Sequence, residues 1–149
     1  MRGAKSIVVG VWIAAVVVAA VPATAGASSS DDMRRRLLSL TNSARRTHGI
    51  RGLDLNWRLS RDALHHSRRM AQTRSVFHTS DLYRLIRPWN PSIWSENVGM
   101  AGTVRRVHRM FMRSAAHRSN IFKARFSKIG IGVIERGGRV WATVIFYGR

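Results

Sequence analysis

The C-terminal stretch limits the fold more than any other part of the chain. Residues 127–135, SKIGIGVIE, and residues 139–147, RVWATVIFY, are rich in β-branched and aromatic side chains, and RGG separates them. Two such runs about a short glycine-rich link read as antiparallel strands joined in a tight hairpin.

The preceding residues have helical rhythm. After the Ser/Asp segment SSSDD, Asp31 or Asp32 is placed to cap a helix with Met33, Leu37, Leu40, Thr41 and Ala44 on one face, and Gly49 ends it. GIRGLDLNWRLS then reads as a loop anchored by Leu53, Leu55 and Trp57. A second helix is expected over residues 58–73, with Leu59, Ala63, His66 and Met70 aligned. Residues 75–101 contain Pro88 and Pro91 beside Trp89 and Trp94, and read as a structured loop or a set of short elements. A third helix is expected over residues 103–116, burying Val104, Val107, Phe111 and Ala115.

The N-terminus is of another kind. Arg2 and Lys5 precede the uncharged run SIVVGVWIAAVVVAAV, and PATAGA then offers cleavage after Ala25 or Ala27. This three-part layout is that of a secretory signal peptide, with an uncleaved anchor as the competing reading. The expected organisation is a signal peptide over 1–25, a linker over 26–32 and one folded domain over 33–149, secreted or associated with the cell envelope. Such a destination permits disulfides, yet the chain has no Cys, so packing must supply the stability and no thiolate can act as nucleophile or ligand.

Charge supplies the next constraint. The chain carries 26 Lys and Arg against 7 Asp and Glu, a formal net charge of +19. Without Arg2 and Lys5 it would be +17, which favours anionic partners such as wall polymers or lipid head groups. The cations are spread over all three helices without a ladder of aromatics, so nucleic acid is not expected as the primary partner. HExxH, GxSxG, a Walker-type glycine loop and Cys/His ligand spacing are all absent from the sequence.

Four stretches taken together resemble the CAP superfamily (cysteine-rich secretory, antigen five and pathogenesis-related proteins; the SCP-like domain), in its compact bacterial secreted branch. They are LLSLTNSARRTHGIRGLDLNWRLSRDALHHSRRMA, FHTS, SENVG and FMRSAAHRSNIFKARFSKIGIGV. The resemblance covers about residues 35–147. It implies an α+β fold, a three-layer α-β-α sandwich with a central, mostly antiparallel sheet and a cleft where His and Glu side chains converge. His78 matches the first cleft histidine, Glu96 the glutamate of the Gly-Glu-Asn motif, and His117 the Ser-x-x-His-Arg-x-Asn-Ile motif. The chain departs from the pattern at Ser95, which stands where a Gly is usual, and at Ala115, which replaces a frequent Pro. The larger relatives' second cleft glutamate has no match between Glu96 and Glu135, and the last strand has no His.

His78 and Glu96 are therefore the candidate cleft and catalytic residues, with His117 as the third candidate for the cleft. The same trio is the candidate ligand set for a divalent metal such as zinc, for which a catalytic site needs three protein ligands and an open position. Glu96 can equally serve as a buried acceptor that ties His78 and its loop in place. Ser114, His117 and Asn120 fit a helix terminus closed by side chains, with His117 near a helix C-terminus. His66 reads as a packed core histidine, His48 as a helix-end residue, and His108 lies beside Val107 and Phe111. Trp89, Trp94, Phe111 and Trp141 fill the core or line a lipid groove. Two functions follow. One is a binding module with a His/Glu cleft and a basic surface for anionic envelope polymer or lipid. The other is a metal-assisted hydrolase, peptidase- or esterase-like, using the same cleft.

Overall fold

The computed structural model describes residues 29–149; the expected signal peptide over 1–25 and the start of the expected linker lie outside them. Helix α1 spans Ser30–Thr47, so the end of that linker is helical. Its cap is Ser29, ahead of the expected aspartates: the Asp32 N–H donates to Ser29 Oγ, and Asp31 and Asp32 instead occupy the first turn, where a carboxylate suits the dipole. The short strand β1, Asp54–Leu55, follows, then α2, Trp57–Thr73, capped by Asn56, whose Oδ1 accepts from the Leu59 N–H. A short α3, Leu82–Ile86, and a 3-10 turn, Arg87–Trp89, lead into β2, Ile93–Ala101.

The expected third helix is two. Helix α4 covers Val104–Arg113 and α5 covers Ala115–Phe122, with Ser114 extended between them. Ser114 closes one helix and opens the next, because its backbone N–H still reaches Met110 O while its Oγ accepts from the His117 N–H. His117 therefore stands in the first turn of a helix, correcting its expected place near a C-terminus. Ala115 occupies the position where Pro is favoured, and an alanine is equally helix-compatible there.

The hairpin is formed by β3, Lys128–Arg136, and β4, Arg139–Gly148. Gly137 and Gly138 both have positive φ, as a two-residue hairpin turn that follows the strand twist demands. The sheet order is β1-β3-β4-β2, with β1 parallel to β3 and the other pairs antiparallel. Residues 75–101 are thus a set of short elements, and the strand among them carried no apolar alternation because its buried positions include Glu96, Asn97 and Gly99.

Helix α2 packs on one face of the sheet with Leu59 and Ala63 against Ile145 and Tyr147. Helices α1 and α4 cover the other face, placing Met33, Leu37, Val107 and Phe111 against Ile129, Ile131, Val144 and Phe146. The result is a three-layer α-β-α sandwich. Gly132 sets the depth of α2: a Cβ there would lie 2.0 Å from the Leu64 backbone nitrogen. On the opposite side Arg45 of α1 is fully buried and donates to the carbonyls of Arg51, Ile121, Lys123 and Phe126. It thereby satisfies carbonyls at the C-terminal end of α5 and locks α1, α5 and the approach to β3 together.

Candidate functional site

Strand β2 lies at the free edge of the sheet and pairs with β4 along its whole length, Ile93 facing Gly148 and Ala101 facing Val140. Successive residues of a strand point to opposite faces, so Glu96 projects to the α2 side and Asn97 to the α5 side. The residue before them, Ser95, sits in the regular ladder opposite Phe146 and needs no glycine-only conformation.

The Glu96 side chain is 3% exposed and meets the segment between α2 and α3. Its Oε2 accepts from His78 Nδ1 at 2.7 Å and from the Thr79 N–H at 3.0 Å, while Oε1 accepts from Thr79 Oγ1 at 2.6 Å. A buried carboxylate needs this many donors. With Nδ1–H committed to Glu96, the His78 ring has Nε2 as its second nitrogen, and 63% of the side chain is exposed.

On the other side of β2, Asn97 Nδ2 donates to the His117 carbonyl at 3.0 Å and Asn97 Oδ1 accepts from Asn120 Nδ2 at 2.8 Å. The His117 ring packs on Phe111, centroids 5.1 Å apart, and its buried Nδ1 has no hydrogen-bond partner among the described residues. Burial lowers the His117 pKa, and the His78 imidazole adds to the effect, so the two rings are close enough for their charges to oppose each other. The structure thus brings His78 and Glu96 into direct contact and sets His117 near them from across the sheet edge.

Behind the pair, His66 of α2 is 4% exposed, with Nδ1 3.0 Å from Thr143 Oγ1 and its ring edge-on to Phe77. The Ser67 hydroxyl donates to the Gly132 carbonyl or to Thr143 Oγ1, completing a buried polar network. Burial lowers the His66 pKa; the Glu96 charge works against that shift, while Arg69 and His78 reinforce it. The His78 backbone approaches His66 closely enough to favour its cation, yet His66 Nε2 makes no hydrogen bond of ordinary geometry. His66 is a core histidine, as its apolar neighbours suggested, and it also forms the inner wall of the cleft. Thr79, Asn97 and Asn120 complete the site. The FHTS, SENVG and SNI segments held all three, but Thr, Asn and Asn carried no separate signal for chemistry.

The remaining candidates fall elsewhere. His108 on α4 has its pKa lowered by burial, and its Nε2 has no hydrogen-bond partner among the described residues. His48 caps the end of α1. Phe111 and Trp141 are core residues, whereas Trp94 is 41% exposed against Tyr83 and Trp89 lies on Tyr147.

Among the described residues no group of three or more His, Asp or Glu side chains is arranged to hold an ion. Within the candidate trio both Glu96 oxygens accept hydrogen bonds, from His78 and Thr79.

A sandwich of this topology with a His/Glu cleft at the sheet edge defines a class of protein. Residues 38–146 match the CAP, or cysteine-rich secretory protein, family, and the chain belongs to it. It is 29% identical over 113 residues to the uncharacterized protein YkwD of Bacillus subtilis (strain 168), an alignment covering 71% of this chain and 44% of that relative. The chain therefore spans less than half the length of the curated relative it matches. Among solved structures it is similar to an extracellular SCP-domain protein from Bacillus anthracis str. Ames (TM-score 0.70, 19% identity, 80% of this chain and 41% of that one). An outer surface protein from Borrelia burgdorferi gives a TM-score of 0.72 at 17% identity, covering 80% and 95%. NaASP2, solved with Zn2+, gives 0.60 at 11% identity, covering 80% and 81%. No described helix is long and apolar enough to cross a membrane.

Proposed function

We propose that the chain is a secreted or envelope-associated binding module. In this reading its basic surface engages an anionic envelope polymer or lipid, and its cleft of His78, Glu96, Thr79 and His117 is a ligand-contact site. The observation that carries it is the state of Glu96. Both carboxylate oxygens hold the His78–Thr79 segment, so the buried acid of the cleft serves to shape a binding surface. The charge points the same way. Among the described residues the ion pairs of Lys and Arg involve only Arg34, Arg35, Arg84 and Lys128, leaving the other cations without an acid. The relatives described as extracellular and outer-surface proteins agree with this location.

Two tests decide the reading. Binding to anionic vesicles or to purified wall polymer that persists at about 150 mM salt supports it, and loss of all binding there reduces it to nonspecific charge. Calorimetric titration of zinc, beside His78→Ala and Glu96→Gln variants, addresses the hydrolase alternative suggested by the Zn2+-bound relative. Weak or absent zinc binding is expected. One-to-one micromolar binding lost in both variants, with chelator-sensitive turnover of a peptide or ester, would overturn the binding-module reading.

A further inference from the structure

A pocket lies away from the cleft, where the N-terminal end of α2 meets the start of β3 and the end of β4. It has a volume of about 780 Å³, within the range of small-ligand sites, and shares no lining residue with the His78–Glu96 pair. Arg58, Arg125, Lys128 and Arg149 line it with Trp57, Trp89 and Tyr147, and no Asp or Glu of the described residues does. Lys128 is held by Asp54 at 3.1 Å, and Arg149 Nε donates to the Trp89 carbonyl at 3.2 Å. Arg58 and Arg125 meet no carboxylate among the described residues.

The aromatic rings are not equivalent. Trp89 is engaged by the Arg58 guanidinium, 5.8 Å from its centroid, and by Tyr147 at 5.7 Å. Such a contact draws the guanidinium toward the ring while its N–H groups remain donors for an anion. Trp57 is 58% exposed, and Arg34 lies over its ring at 4.5 Å. It is the more exposed of the two tryptophans that line the pocket. Asn56 Nδ2 donates to the Tyr147 hydroxyl at 2.9 Å, so polar atoms sit between the rings.

We infer that this pocket binds an anionic saccharide, a sugar ring bearing a carboxylate or a phosphate, as a unit of an envelope polymer. One aromatic platform suits the C–H face of a single ring, whereas a nucleic-acid strand calls for successive platforms. The Asn56 and Ser127 side chains interrupt the apolar wall that an acyl chain would need. Arginine forks with no acid partner match the anionic substituent. The inference rests on the basic-surface part of the proposed function and adds a place and a chemistry to it.

The test is titration of the full chain, in the form its cell processes, with oligogalacturonate, its neutral methyl ester and a phosphorylated oligomannose at about 150 mM salt. Tryptophan fluorescence and calorimetry report binding. An oligonucleotide and anionic vesicles form further arms. Saturable binding to either charged saccharide but not to the ester is expected, with affinity reduced about tenfold in Arg58→Gln/Arg125→Gln and in Trp57→Ala. An equal loss in an Arg105→Gln/Arg109→Gln control on α4, or tighter binding of the oligonucleotide, would overturn the inference. Binding to vesicles alone would overturn it while leaving the proposed function standing, and binding to no arm would overturn both.

Discussion

Strands β4 and β2 share one ladder, rung for rung, and do different work in it. From Val140 to Gly148 β4 is buried throughout, and its side chains alternate between the α2 layer and the α1/α4 layer. Strand β2 also buries a central stretch, Glu96–Gly99, but two of those four residues are polar. Glu96 fastens the His78–Thr79 segment on one face, and Asn97 fastens α5 on the other. A central strand can be wholly apolar because helices cover both of its faces. The edge strand β2 meets an irregular segment at Glu96 and the short helix α5 at Asn97, and fixing them takes hydrogen bonds.

The comparison breaks most visibly at the centre. Gly132→Val places side-chain atoms where the α2 backbone lies 2.0 Å from an added Cβ, so the helix must lift off the sheet. The expected cost is about 3 kcal/mol, and the fall in Tm roughly 10 °C. A thermal scan showing less than about 1 kcal/mol would mean that α2 docks with slack. Glu96→Gln is the matching test at the edge. The amide retains one acceptor oxygen and turns two donors toward a site made of donors, costing about 1–3 kcal/mol. Hydrogen exchange should localise the damage, faster at the Thr79 N–H and unchanged in the β3–β4 hairpin. Uniform acceleration over both would erase the distinction between the two strands.

Acid should act on the edge and on α4 before it reaches the hairpin. Burial lowers the pKa values of His66, His108 and His117 from the ordinary 6.5. Between each lowered value and 6.5 the unfolded chain holds a proton that the folded chain does not, so stability rises with pH across that window. It is fully present above about 6.5 and is lost as pH falls through the folded values. Tm should therefore drop from neutral pH toward pH 5, and the drop should shrink in His108→Phe. An unchanged slope in that variant would assign the effect to His66 and His117 alone.

The sequence made the hairpin legible because RGG and the flanking β-branched residues speak for themselves, and α1 and α2 because their apolar residues recur at helical spacing. Strand β2 was hidden because Glu96 and Asn97, at its buried centre, make polar contacts, one on each face. The break at Ser114 was hidden because helical spacing runs on through it, and only the hydroxyl's role as a cap interrupts the helix. Arg45 could not be read as a buried hub, since an arginine in a basic chain looks like surface until its four carbonyl partners are in place. His78 and Glu96 were legible as partners through the family pattern. That both Glu96 oxygens would be engaged depended on the Thr79 backbone and hydroxyl.

The smallest expected effect separates the two ends of that partnership. His78 contributes one hydrogen bond from a side chain that is 63% exposed, whereas Glu96 accepts three while almost wholly buried. Removing the imidazole in His78→Ala leaves Glu96 with both Thr79 donors and opens the vacated place to water, so the loss should be under about 1 kcal/mol. A double-mutant cycle with Glu96→Gln should return a coupling of the same small size. A coupling above about 2 kcal/mol would make the imidazole a structural pin of the loop, and a near-zero value leaves its exposed nitrogen as the part of the cleft available for contact with a ligand.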